Sequence, residues 1–125
     1  MNYLVKEVKY KAMSKLLVFL LFWILGSVLI WLQTNGQFVW TWFAKHPLFL
    51  SIVFGTIISY IMILATKYGF EVFKGSLWSI KWVGFSLGII TNALMNFYIM
   101  NEGINWKTTI SLFLAFCIIA IQFWK

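Results

Sequence analysis

The chain has no arginine and no aspartate, a single histidine, proline and cysteine, and only three acids, all of them glutamate. Each scarcity removes a class of chemistry. Lone Cys117 excludes a disulfide within one chain, and its place in an apolar run reads as a small buried hydrophobe. His46 stands between Lys45 and Pro47 with no Cys, Asp or Glu at ligand spacing, so neither a metal site nor a metal cofactor is expected. No serine–histidine–acid set, phosphate-cradling glycine loop or paired carboxylate is visible, so no enzyme activity is expected either. The acids Glu7, Glu71 and Glu102 all fall between apolar runs rather than within them, as solvated or helix-end charges. A carboxylate inside a span is the usual handle for proton coupling, and here there is none.

What is present is hydrophobic. Of 125 residues 62% are apolar and only 10% charged, too little polar surface for a soluble domain of this length. A bilayer-crossing helix needs about 20 mostly apolar residues. Four such stretches are expected at about 16–32, 48–66, 82–100 and 108–124, which predicts an all-α, polytopic membrane protein with four transmembrane helices. Residues 15–125 form this transmembrane domain, and 1–14 an extension on the membrane surface. In that extension Val5 and Val8 sit apart from Lys6, Lys9 and Lys11, a weakly amphipathic pattern. Met13 offers an alternative start, and no cleavage site follows the first run. The stretch 33–46 turns from polar to aromatic at Phe38, Trp40, Trp42 and Phe43, as an interfacial loop or half-turn would. Pro47 suits the first turn of the second span, where its missing N–H costs nothing.

The net charge of +7 is spread along the flanks of the spans, so no nucleic-acid partner is expected and membrane lipids are. Lys6, Lys9, Lys11, Lys15, Lys67, Lys74, Lys81 and Lys125 fall on one side of a four-span layout, Lys45 and Lys107 on the other. Eight against two is a strong positive-inside bias, and it predicts both termini cytoplasmic in a multi-pass protein of the inner (plasma) membrane.

The sharpest pattern lies in the third span, where Gly84, Gly88, Asn92 and Asn96 recur every four residues along one stripe of a helix. Glycines allow close backbone approach and carboxamides hydrogen-bond between helices, so packing is the favoured reading. The functional reading makes Asn92 and Asn96 the lining of a polar substrate path suited to a neutral or zwitterionic headgroup. In the second span Gly55 and Ser59, with Ser51, form another packing seam, and Tyr60 beside it joins the candidate path because a mid-membrane phenol needs a partner or a wet cavity. In the last span Ser111 and Ala115 make a small-x-x-x-small pair, read as an oligomer contact.

The segment Asn101-Glu102-Gly103-Ile104-Asn105-Trp106-Lys107 and the apolar run after it resemble the last turn and helix of the drug/metabolite transporter superfamily. Gly55-Thr56-Ile57-Ile58-Ser59-Tyr60 is similar to the second helix of small multidrug resistance proteins. The resemblance implies four spans, short loops and a transport role. It departs in two respects. Those exporters depend on a glutamate in the first helix, and with Gly26 aligned to the glycine one turn later the position holds Trp23. They also form antiparallel dimers from chains of weak charge bias, whereas the bias here favours one orientation and a parallel dimer or a partner subunit.

Two functions of different class follow. One is a small transporter-like protein moving an amphipathic or lipid-linked molecule, working as a homo-oligomer. The other is a non-transporting accessory or scaffold subunit of a larger membrane complex, with the small-residue seams as docking faces. A membrane disruptor is disfavoured by the short loops and the lack of a charged pore-lining stripe.

Overall fold

The computed structural model describes residues 2–124 and, ahead of Met13, only the side chains of Lys6 and Lys11. Lys125 and the side chains of Val5, Glu7, Val8 and Lys9, used above, lie outside the described residues. The helices are α1 (Asn2–Asn35), α2 (Thr41–Lys45), α3 (Pro47–Val72), α4 (Leu77–Ile99) and α5 (Trp106–Phe123), with a 3₁₀ turn at Gly36–Phe38 and no strand among the described residues. Met13–Phe38, Pro47–Val72, Leu77–Ile99 and Trp106–Phe123 are each long and apolar enough to cross a membrane. The chain is an all-α, multi-pass membrane protein.

Boundaries differ from expectation mainly where helices outrun their apolar stretches. Residues 2–14 continue into the first span as one helix, without a break. The second connection, expected over 67–81, shrinks to residues 73–76 because α3 continues five residues past Lys67, through Glu71, and α4 begins four residues before Lys81. Such lysines reach water along flexible stems, so they do not end a helix. Ser76 caps α4 by accepting from the Ser79 N–H at 3.2 Å, and Asn105 caps α5 by accepting from the Thr108 N–H at 2.9 Å. Of the stretch 33–46, residues 33–35 complete α1, and the rest forms the 3₁₀ turn and α2, which pack against each other. A Cβ on Gly36 would run into the Phe43 ring, so glycine permits that closure.

The α3–α4 turn is a tight helix ending. Gly75 N–H donates to the Phe70 carbonyl at 2.8 Å and Lys74 N–H to the Glu71 carbonyl at 3.5 Å, which places Lys74 in the left-handed region at φ 52°. A side chain costs about 1 kcal/mol there. Lys74→Gly is therefore expected to raise stability by about 0.5–1 kcal/mol and Lys74→Val to lower it by more, read by thermal unfolding in detergent.

The helices do not close into a square bundle. α1 runs through the middle, with α3 antiparallel along one side, α4 parallel along another, and α5 packed on α4. The α1–α3 seam passes from a Lys15–Glu71 ion pair of 2.8 Å, through Phe19 against Gly69 and Gly26 against Met62, to Gln33 Nε2 donating to the Leu50 carbonyl at 3.5 Å. α3 and α4 meet chiefly near the turn that joins them. Phe73 and Phe123 stack at 5.3 Å, so the start of the first span, the α3–α4 turn and the end of α5 share one end of the molecule. Large side chains such as Ile52, Ile63, Phe113 and Phe116 point outward, which lipid accommodates and water would not.

Candidate functional site

The four-residue stripe on α4 meets a stripe of the same spacing on α1. Because the two helices run parallel, Trp23 and Ser27 meet Gly84 and Gly88 in step, and the Trp31 side chain reaches one turn further, past Asn92, to Asn96. The Trp23 ring lies directly on the Gly84 backbone, leaving no room for a Cβ there. At Gly88 a Cβ would be 3.8 Å from Ser27 Oγ, an ordinary contact. At Asn96 the side-chain oxygen accepts from Trp31 Nε1 at 2.7 Å, and Trp31 is only 2% exposed. Gly84 and Asn96 thus both lie in the contact between α1 and α4, Gly84 under the Trp23 ring and Asn96 as a hydrogen-bond acceptor.

Asn92 is different. It is exposed and makes no hydrogen bond among the described residues. It stands seven residues before the end of α4, about 10 Å inside the helix end at 1.5 Å per residue. A carboxamide at that depth costs several kcal/mol unless water or a ligand reaches it. Both are given a route. On one side of Asn92 a cleft of about 130 Å³ opens between α1 and α4, bordered by Ser27, Trp31, Thr34 and Gly88. On the other side a cleft of about 290 Å³ lies between α4, the α4–α5 turn and the start of α5.

The larger cleft brings together Asn92, Asn96, Glu102, Asn105, Lys107, Thr108 and Ser111 over an apolar wall of Ile89, Ala93 and Leu112. Asn105 Oδ1 accepts from Thr108 N–H at 2.9 Å and from Thr108 Oγ1 at 3.1 Å. Ser111 Oγ donates to the Lys107 carbonyl at 2.9 Å. Lys107 Nζ lies 5.8 Å from the Trp106 ring centroid. Among the described residues the Glu102 and Lys107 charges form no ion pair with each other.

At the opposite end the seam between α1, α3 and α4 is closed, while a separate and mostly apolar cleft of about 260 Å³ lies between Trp82 of α4 and Ile118, Ile121 and Gln122 of α5. Phe19, Trp23, Ala65, Ile80 and Val83 form a buried core, with Phe19 5.8 Å from the Trp23 ring and 5.7 Å from Phe73. Lys81 caps this plug, its Nζ 5.9 Å from the Trp23 ring centroid, beside the Lys15–Glu71 pair. Polar space therefore enters from the α4–α5 end, reaches the middle of α4 near Gly88, and stops at Trp23 on Gly84. Trp23, the residue at the place of the coupling acid under the resemblance, is a packing residue here.

Tyr60 does not join Asn92 and Asn96. It lies on the outer face of α3, 64% exposed, in a shallow groove with Ser51, Gly55, Thr56 and Ser59. A Cβ on Gly55 would meet only Gln33 Nε2, at 3.7 Å, so among the described residues Gly55 has no helix backbone packed against it. Ser111 and Ala115 separate: Ala115 is buried and Ser111 faces the large cleft. His46 stacks on Trp42 at 4.6 Å and its Nδ1–H donates to the Trp42 carbonyl at 2.8 Å. Among the described residues no three His, Cys, Asp or Glu side chains gather as a metal site would need. Sequence reasoning passed over Trp31, Ser27, Asn105 and Lys107 as site residues. The run Asn105-Trp106-Lys107-Thr108 is a capping signature that could have marked Asn105. Trp31 gave no signal, since a tryptophan near a membrane edge ordinarily anchors to the interface.

Against family models, curated proteins and solved structures alike, the chain finds no match.

Proposed function

We propose that this protein is a small transporter-like membrane component that takes the polar head of an amphipathic molecule into the α4–α5 cleft from one side of the bilayer. Asn92 carries the reading. An unpartnered carboxamide about 10 Å inside the helix end needs a polar guest or water, and the clefts beside it admit one. The aromatic plug at Trp23 and Gly84 shuts the α1–α4 seam beyond these clefts, as a carrier in one of its states shuts one side of its site. The apolar wall of Ile89, Ala93 and Leu112 leaves the tail in contact with lipid. The one acid on the described spanning helices, Glu71, lies in the last turn of α3 and is paired with Lys15, so coupling by a mid-span carboxylate of the small multidrug resistance type is not part of this proposal. The lysine bias orients the molecule with both termini cytoplasmic in the plasma membrane, which puts the cleft mouth on the far side.

The test is transbilayer movement of fluorescent phospholipid and lipid-linked sugar analogues in vesicles reconstituted with the protein. Asn92→Leu is expected to slow that movement about tenfold or more, while elution profile and melting temperature stay unchanged. Equal rates for the variant, the wild type and empty vesicles would sink the transport reading.

The accessory-subunit reading has its own support in the uncovered face of α3 (Ser51, Gly55, Ser59, Tyr60) and in α5, which buries only Ala115. A stoichiometric complex with a larger membrane protein in native mass measurements, with no movement of any lipid analogue, is the outcome that reading expects.

A further inference from the structure

Hydrogen bonds inside the chain fix what the α4–α5 cleft has left to offer. Trp31 Nε1 can only donate, so Asn96 must accept with its oxygen and is left with its N–H₂ group. The Thr108 backbone N–H can likewise only donate; with the Thr108 hydroxyl it occupies the Asn105 oxygen, and Asn105 too is left with its N–H₂. The Thr108 and Ser111 hydroxyls spend their protons within the chain. To these amide donors the cleft adds the ammonium of Lys107 and, as its one charged acceptor, the carboxylate of Glu102. Fixed N–H₂ groups beside a lysine suit the oxygens of a phosphate ester, and an unpaired glutamate suits a positive substituent.

From this donor balance we propose that the cleft binds a zwitterionic phospholipid headgroup of the phosphoethanolamine class. Its phosphate is held by Asn96, Asn105 and Lys107, its ammonium by Glu102, and its glycerol end runs onto Ile89 and Leu112. Asn92 below is reached by water or by ester oxygens. The assignment uses the same cleft as the transport proposal and names the chemistry of its occupant.

Charge substitutions in the exposed turn test it without touching helix packing. The purified full chain would be placed in nanodiscs of phosphatidylcholine doped with phosphatidylethanolamine, phosphatidylglycerol or phosphate-free diglucosyl diacylglycerol, and bound lipid counted by native mass spectrometry. Expected occupancy falls from phosphatidylethanolamine to phosphatidylglycerol to the glycolipid. Lys107→Gln should weaken both phospholipids about five- to tenfold, as loss of a charge-assisted contact does. Glu102→Gln should remove the preference for phosphatidylethanolamine and leave phosphatidylglycerol as it was. Glycolipid binding equal to or above phosphatidylethanolamine would overturn the phosphate assignment. No effect of Glu102→Gln on the ratio of the two phospholipids would overturn the zwitterion. Soluble glycerophosphoethanolamine in millimolar excess should displace the lipid, and failure to do so would show that the tail rather than the headgroup is recognised, against the proposal. Phosphatidylethanolamine binding with the expected variant pattern but no transbilayer movement would leave this assignment standing and remove the transport reading alone.

Discussion

Gly84→Ala is expected to cost about 3 kcal/mol of folding stability, although alanine is the better helix former by about 1 kcal/mol. The added methyl would fall within the Trp23 ring, and neither side can yield easily. Trp23 is packed in turn against Phe19, and the α4 backbone at Gly84 is flanked by buried Val83 and Ser86. Relief requires α1 and α4 to separate along the seam that continues to Trp31 and Asn96. Gly88→Ala, one turn on along the same stripe, is the control. Its new Cβ would find Ser27 Oγ at 3.8 Å and nothing closer, so stability should hold or rise slightly. Trp23→Leu in the Gly84→Ala background should restore most of the loss, because the smaller side chain vacates the space the methyl needs. Equilibrium unfolding in mixed micelles reads all three. Equal melting points for Gly84→Ala and Gly88→Ala would contradict the parallel α1–α4 register on which the two-cleft geometry rests.

That register marks the line between what the residues disclosed and what only folding reveals. Four apolar stretches with few charges admit hardly any architecture but four spanning helices, since lipid demands that each segment satisfy its own backbone. The stripe of Gly84, Gly88, Asn92 and Asn96 marked only an edge of the buried face of α4: Gly84 is buried, but that face runs along Ile80, Val83 and Thr91, and Asn92 is exposed. It did not show what that face meets. Trp23, Ser27 and Trp31 repeat at the same interval on α1, but among so many apolar neighbours a tryptophan does not stand out as a partner for glycine. Tyr60 misled for a related reason. Beside Ser51, Gly55 and Ser59 it marks a small-residue face of α3, and such a face packs inward in most bundles. Here α1 occupies the other side of α3, along Leu50, Ile58, Ile61, Ala65 and Gly69, so the phenol faces outward. The cleft at the α4–α5 turn was half visible: Glu102 and Lys107 could be placed at one membrane edge, but not the depth to which polar space follows them.

Asn96→Leu is expected to destabilise the fold by about 2 kcal/mol, whereas Asn92→Leu should leave it intact and act on function alone. The two asparagines are one turn apart on the same helix and differ only in what they meet. Removing the Asn96 oxygen strands Trp31 Nε1, on a side chain 2% exposed. A buried donor left unpaired costs about 1–3 kcal/mol, and hydrogen bonds between membrane helices fall at or below the middle of that range. The leucine adds apolar volume but cannot return the bond. Trp31→Phe with Asn96→Leu should recover most of the loss, since both polar groups then vanish together; a favourable coupling of about 1 kcal/mol or more in the double-mutant cycle is the expected signature. Asn92 has no bond to lose, and a leucine there projects into the clefts on either side of α4. Joint replacement of the two, the obvious first experiment from the stripe alone, would therefore confound a folding defect with a binding defect. Measured singly they separate: unfolding by heat or denaturant should single out Asn96→Leu, and movement or binding of a headgroup should single out Asn92→Leu. An Asn96→Leu protein as stable as wild type would mean that Trp31 finds another acceptor, and Asn96 would then rejoin Asn92 as a residue free to meet the headgroup with both halves of its amide.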